Sequence, residues 1–194
     1  MARPRDPRID RLVVDACVEL LDERGRAGLS RAQVAERAGV SLPAVNRRFA
    51  DVDEILVQVA RTPGRPPDRE ERAGPAAPQT LRDHLVTGLT SIARGFDGGG
   101  VRRAAAELLA AAAGNPDIDQ AFRATLADLR AEGLAWVERA KEAGEIDEDT
   151  DAELLLDLVT GSAYYRLLWR GQAISEDEVA GVVDLVLRGA RPSP

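Results

Sequence analysis

Apolar residues fall at intervals of three and four along most of this 194-residue chain, the spacing of one buried helix face. From Ile9 they run Ile9, Leu12, Val13, Ala16, Cys17, Leu20 and Leu21, a helix that Gly25 and Gly28 bring to an end. Ser30 to Phe49 then reads as two short helices around a tight turn. Ser30 with Gln33 makes a capping-box start, and Val34, Ala35 and Ala38 supply a small apolar face. Gly39 stands where the chain must stop one helix and turn sharply, a position that favours positive φ. Val40 plugs the turn, Ser41 can cap the second helix, and Pro43 fits its first turn. Val45 and Phe49 give that second helix one buried stripe, so Asn46, Arg47 and Arg48 are expected to point outward. Asp51 with Glu54 opens a fourth helix, with Ile55, Leu56 and Val59 inward.

Residues 61–78 are rich in Pro and Gly and hold almost nothing to bury, which marks a linker or a long loop. Helical periodicity returns at Thr80 to Phe96, with Leu81, Leu85, Leu89, Ile92 and Phe96 inward, and continues through the Ala-rich stretch Val101 to Ala113. Asn115-Pro116 starts the longest helix. Its stripe is Ile118, Phe122, Leu126, Leu129, Gly133, Trp136, Val137 and Ala140, and Gly144 ends it. Thr150 with Glu153 is read as the cap of the next helix, which reaches about Arg170, and Ser175 with Glu178 as the cap of the last. The pattern predicts an all-α protein of about nine helices: a tri-helical helix-turn-helix head in 1–60, a linker in 61–78 and a helical bundle in 79–194. The helices over 150–170 and 175–190 are apolar around so much of their circumference that a second copy of the chain is expected to cover them.

Composition changes this picture only locally. Apolar residues at 44% and charged residues at 30% describe an ordinary soluble protein. No apolar run approaches the roughly 20 residues of a membrane span, and the basic N-terminus lacks the apolar segment of a signal peptide. The single cysteine fits a reducing compartment, so the cytoplasm is expected. The net charge of −7 divides unevenly: residues 1–60 hold ten Arg and ten acids, and all the excess acid lies beyond them. A neutral head with Arg on its second hairpin helix is compatible with DNA, since Arg pairs with guanine or phosphate and Asn with adenine.

Catalytic chemistry finds no support. The lone His84 is read as a helix-surface residue with no Cys or Ser constellation beside it. Gly98-Gly99-Gly100 lacks the strand and the Gly-Lys-Ser/Thr of a phosphate loop. The acidic run Asp147 to Asp151 lacks the Gly and Glu of a calcium loop. Neither enzyme activity, nor a cofactor, nor a metal is expected.

Residues 8–57 resemble the N-terminal domain of the tetracycline-repressor (TetR) family of bacterial regulators. The likeness rests on the first helix ending at Arg24-Gly25, on Val34-Ala35-Glu36-Arg37-Ala38-Gly39-Val40-Ser41, on Val45 and Phe49, and on Glu54-Ile55-Leu56. The stretch Leu158–Gly189, and Asn115-Pro116 leading to Ala121-Phe122-Arg123, are similar to the C-terminal body of one TetR subgroup. Two positions depart from the family pattern: Asn46 stands where Tyr is usual, and Val52 where Lys is usual.

The resemblance implies a homodimer that presents two recognition helices to successive major grooves of a pseudo-palindromic double-stranded operator, roughly 34–36 Å apart. Arg31, Arg47 and Arg48 would hold phosphate, while Ser41, Leu42, Pro43 and Asn46 face bases. It also implies an unidentified small-molecule effector inside the helical body that lowers operator affinity. The expected lining is Leu89, Phe96, Phe122, Leu126, Trp136, Tyr165 and Trp169, the last two favoured because each has a polar handle in an apolar wall. The competing reading is a dimeric helical small-molecule sensor that binds no DNA.

Overall fold

A computed structural model describes residues 7–62, 79–97 and 101–190. Among them lie nine α-helices and no strand: α1 Pro7–Arg24, α2 Arg31–Arg37, α3 Leu42–Asn46, α4 Val52–Arg61, α5 Leu81–Asp97, α6 Val101–Gly114, α7 Pro116–Glu142, α8 Ala152–Tyr164 and α9 Glu176–Gly189. A short 3₁₀ turn, Arg26–Gly28, follows α1, and α8 runs on into a π-helical turn, Tyr165–Trp169. The all-α architecture matches the periodicity. Among the described residues no helix is long and apolar enough to cross a membrane. The expected linker falls almost wholly on residues 63–78, outside the described ones.

The chain divides into two compact units. One gathers the described residues of 1–63 and 99–125, the other those of 64–98 and 126–194. The first is therefore larger than the four-helix head expected for 1–60. Its core holds Val13, Cys17, Leu20 and Leu21 of α1, Val34 of α2, Val45 and Phe49 around α3, and Ile55 and Leu56 of α4. It also takes Ala104 and Ala111 of α6 and Ile118 and Ala121 at the start of α7. The junction with α6 and α7 is polar as well as apolar. The Arg26 guanidinium pairs with Asp53, the Asn115 amide donates to the same carboxylate at 3.0 Å, and the Arg26 backbone N–H donates to Glu107 at 3.2 Å.

The second unit packs Leu81, Leu85 and Leu89 of α5, Val137 and Ala140 of α7, Leu155, Leu156 and Val159 of α8, and Val179 and Val183 of α9. Gly133 permits a close helix approach, because a Cβ there would lie 3.1 Å from the Leu156 Cδ1. The stripe expected along α7 is interrupted in its middle: Leu126 and Leu129 are exposed. The two ends of α7 serve different cores, and periodicity alone carries no sign of that division.

Two details of the caps are informative. Asp151, not Thr150, caps α8, its carboxylate accepting from the Leu154 N–H at 3.0 Å. An anion at a helix N-terminus gains from the dipole as well as the hydrogen bond, an advantage a hydroxyl lacks. At α9 both arms of the Ser175–Glu178 capping box are present. The backbone N–H and hydroxyl of Ser175, together with Arg166, hold the Glu178 carboxyl down at about 2.

Candidate nucleic-acid interface

The α2–turn–α3 hairpin is set by its local sequence. The Ser30 hydroxyl accepts from the Gln33 N–H at 3.3 Å and donates to the Gln33 side-chain carbonyl at 2.8 Å, which starts α2. Gly39 has φ +65°, and the Val40 N–H reaches back to the Ala35 carbonyl at 3.0 Å, closing the end of that helix. Ser41 caps α3, accepting from the Ala44 N–H at 3.3 Å, with a proline in the first turn. Val45 and Phe49 are sealed in the core and fix which way the short helix faces.

That rotation leaves Ser41, Leu42, Pro43, Asn46 and Arg47 together on the surface. Asn46 and Arg47 make no side-chain hydrogen bond or ion pair with any described residue, so their donors and acceptors remain available to an external partner. Asn46 offers both an amide donor and an acceptor and Arg47 a donor fork, the groups that read base edges and hold phosphate.

The two other arginines expected at this face are already engaged. Arg31 is half-buried and donates to the Phe49 carbonyl at 3.0 Å, tying the start of α2 to the exit of α3. Arg48, expected to point outward, turns back into the unit. Its side chain is only 12% exposed, its Nε lies 3.0 Å from the Asp10 Oδ1, and its Nη1 donates to the Ala44 carbonyl at 3.2 Å. The end of α3 accounts for the difference: Arg48 lies beyond the Arg47 C-cap, in a turn whose backbone bonds back to Val45, and its side chain runs to Asp10 of α1. On α2, Arg37 grips Glu19 and Glu23 of α1 at 3.1 and 2.7 Å and holds the Glu23 carboxyl below the ordinary carboxylate value.

The seven residues expected to line an effector site divide between two cores and exposed helix faces. Leu89 is buried in the core of the second unit, with Phe96 and Trp136 packed against the same core, whereas Phe122 packs in the first unit. Leu126, Tyr165 and Trp169 are exposed, Trp169 at 74%. Tyr165 lies two residues beyond the buried Ala163, about 200° around the axis and so on the outer face. Its neighbour Tyr164 is the inward aromatic: its ring meets Phe96 edge-on at 6.5 Å, and burial pushes its hydroxyl pKa up. Spacing from Val159 and Ala163 is the signal that favours Tyr164 over Tyr165.

His84 is not a bare surface residue either. Its ring stacks on Trp136 at 5.0 Å, with Arg139 4.2 Å from the Trp136 ring centre, and burial pulls its pKa down. Burial raises the Cys17 thiol to about 12, consistent with its reading as a core hydrophobe. Among the described residues no His, Cys, Asp and Glu group has metal-binding geometry.

Comparison with known proteins agrees with this arrangement. Residues 13–59 match the family model described as bacterial regulatory proteins, tetR family. Residues 77–186 match the one described as tetracyclin repressor-like, C-terminal domain. The uncharacterized HTH-type transcriptional regulator YdeS of Bacillus subtilis (strain 168) is 26% identical over 192 residues, covering 97% of this chain and 93% of that protein. The TetR family transcription regulator SCO0332 shares 25% identity with a TM-score of 0.64, over 95% of this chain and 99% of that one. The fold recurs in FadR of Bacillus subtilis, solved with stearoyl-CoA, at 17% identity and a TM-score of 0.67, over 92% of this chain and 95% of that one. With both parts of the chain matched and the hairpin formed, the protein belongs to the tetracycline-repressor family of helix-turn-helix transcriptional regulators.

Proposed function

We propose that the protein is a dimeric repressor that a small molecule releases from a pseudo-palindromic operator. The observation that carries the DNA-contact part of this reading is the cluster of Ser41, Leu42, Pro43, Asn46 and Arg47 on one exposed face, its two strongest polar groups unengaged. Asn46 and Leu42 read base edges, the amide at adenine and the leucine at a thymine methyl, while Arg47 holds phosphate. Arg31 contributes at the edge of the same face.

A second copy docks on α8 and α9. Supporting this are Leu154 and Leu158, four apart on α8, and Leu185 on α9, all more than half exposed although they lie on helices whose other faces are packed. Leucines left open on two neighbouring helices are what a two-fold four-helix interface covers. The effector enters the helical body among Leu89, Phe96 and Trp136, and Tyr164 supplies a hydroxyl there. FadR of Bacillus subtilis, crystallised with stearoyl-CoA, has this fold, which supports a ligand with a long apolar chain for the body.

Sequencing of genomic DNA fragments retained by the protein tests the reading. Enrichment of a short inverted repeat is the expected result. No enrichment from folded, dimeric protein would instead support the DNA-silent sensor.

A further inference from the structure

Arg48 occupies a place in the recognition hairpin that the sequence assigns to DNA, yet its surroundings are those of an internal tie. Its Nε and the Asp10 Oδ1 are 3.0 Å apart, an ion pair without hydrogen-bond alignment, and both atoms are shut off from solvent. Its Nη1 holds the Ala44 carbonyl, one of the last acceptors of a helix only five residues long. Asp10 belongs to the first turn of α1, distant in sequence from α3. A helix this short has little intrinsic stability. Val45 and Phe49 fix which face of it is buried, and its finer aim depends on what grips its ends: Ser41 at the start, the Arg31–Phe49 bond at the exit, and Arg48 on its rear.

We infer that Asp10 and Arg48 are positioning residues for DNA recognition: the ion pair between α1 and α3 sets the aim of Asn46 and Arg47, and Arg48 itself touches no DNA. The inference rests on the DNA-binding reading above. It makes an unusual demand of Asp10. Removing an acid from a DNA-facing head strengthens binding by simple electrostatics, because phosphate repulsion falls. Removing an acid that aims the recognition helix weakens it.

The test compares wild type, Asp10→Asn, Arg48→Gln, Arg48→Lys and the Asp10→Asn/Arg48→Gln double variant on the operator recovered by wild type, across a salt series. Each single neutral variant is expected to lose about tenfold in operator affinity, and the double variant no more than either, as for one coupled pair. The salt slope stays at the wild-type value, because no phosphate contact is lost, and Arg48→Lys recovers part of the affinity. In the free protein, amide exchange over residues 42–49 is faster in Asp10→Asn while exchange in α8 and α9 is unchanged. Equal or tighter operator binding by Asp10→Asn overturns the inference, as does a flatter salt slope in Arg48→Gln. Failure of wild type to select any DNA is a different result, which removes the DNA-binding reading and this inference with it.

Discussion

Arg47 and Arg48 are adjacent in the sequence and opposite in environment. One stands exposed with no bonding partner among the described residues; the other is nearly enclosed between Asp10 and the Ala44 carbonyl. Arg47→Ala is expected to weaken DNA binding on any sequence and to lower the salt slope by about 0.9, the loss of one phosphate contact. Fluorescence-anisotropy titrations over a salt series read both quantities. An unchanged slope would take Arg47 out of the interface. The residue types at this face were legible in the sequence, and so was its general side of α3. The inward turn of Arg48 was not, because five helical residues are too few for a periodicity to fix phase, and the carboxylate that draws it in comes from another helix.

His84 presents the same difficulty in the second unit. Its stacking partner Trp136 lies on α7, and no local pattern in α5 indicates it. Burial lowers its pKa below 6.5, so the folded state takes up a proton less readily than the unfolded state. Its effect on stability is absent above pH 6.5, grows unfavourable as pH falls below 6.5, and levels off below the folded pKa. Thermal melts between about pH 8 and pH 5 should show this loss in wild type and a smaller one in His84→Gln. Identical pH profiles would remove the effect from His84.

At the scale of elements, caps and turns account for most of what could be read in advance. Gly39 adopts φ +65° with nothing within 4 Å of the Cβ position. A side chain there meets no steric neighbour and pays only for the left-handed backbone, about 1–2 kcal/mol. Gly39→Ala should lower the unfolding free energy read from denaturant titrations by that amount without altering the helix content measured by circular dichroism; an unchanged free energy would show that the left-handed turn is not strained by a side chain. Ser175 and Glu178 hold the start of α9, and the Glu178 carboxyl is lowered from 4.5 to about 2. The stability it contributes is complete above pH 4.5 and disappears as pH falls toward 2. Glu178→Gln removes that part of the acid sensitivity, which acid-unfolding curves of the two proteins would reveal. The caps at Ser30, Ser41, Asp51 and Ser175 were legible because a side chain and an amide three residues on suffice to define them. The choice of Asp151 over Thr150, and the π-helical turn after α8, depend on where the preceding chain arrives, which periodicity does not encode.

For the whole molecule, the sequence gives away its helical class and a helix-turn-helix head, while the division of α7 between two cores arises from packing at a distance. The same applies to the proposed dimer surface. A stripe of Val and Leu on α9 does not distinguish residues buried within one chain from those left for another. Val183 is fully buried in its own unit, so a charge there should unfold the protein. Leu158 and Leu185 are exposed, so Leu158→Glu or Leu185→Glu should give a folded monomer. Sedimentation velocity with circular dichroism separates the two outcomes, and a stable dimer in both Leu variants would move the interface away from α8 and α9.

In the proposed complex, two copies of the α3 segment read one duplex. Hydroxyl-radical footprinting of the protein on the DNA it selects tests that most directly. Two protected half-sites are expected, on one side of the duplex and roughly one helical turn apart, with protection lost in Arg47→Ala. A single unbroken protected tract, or protection unaltered in that variant, would contradict it.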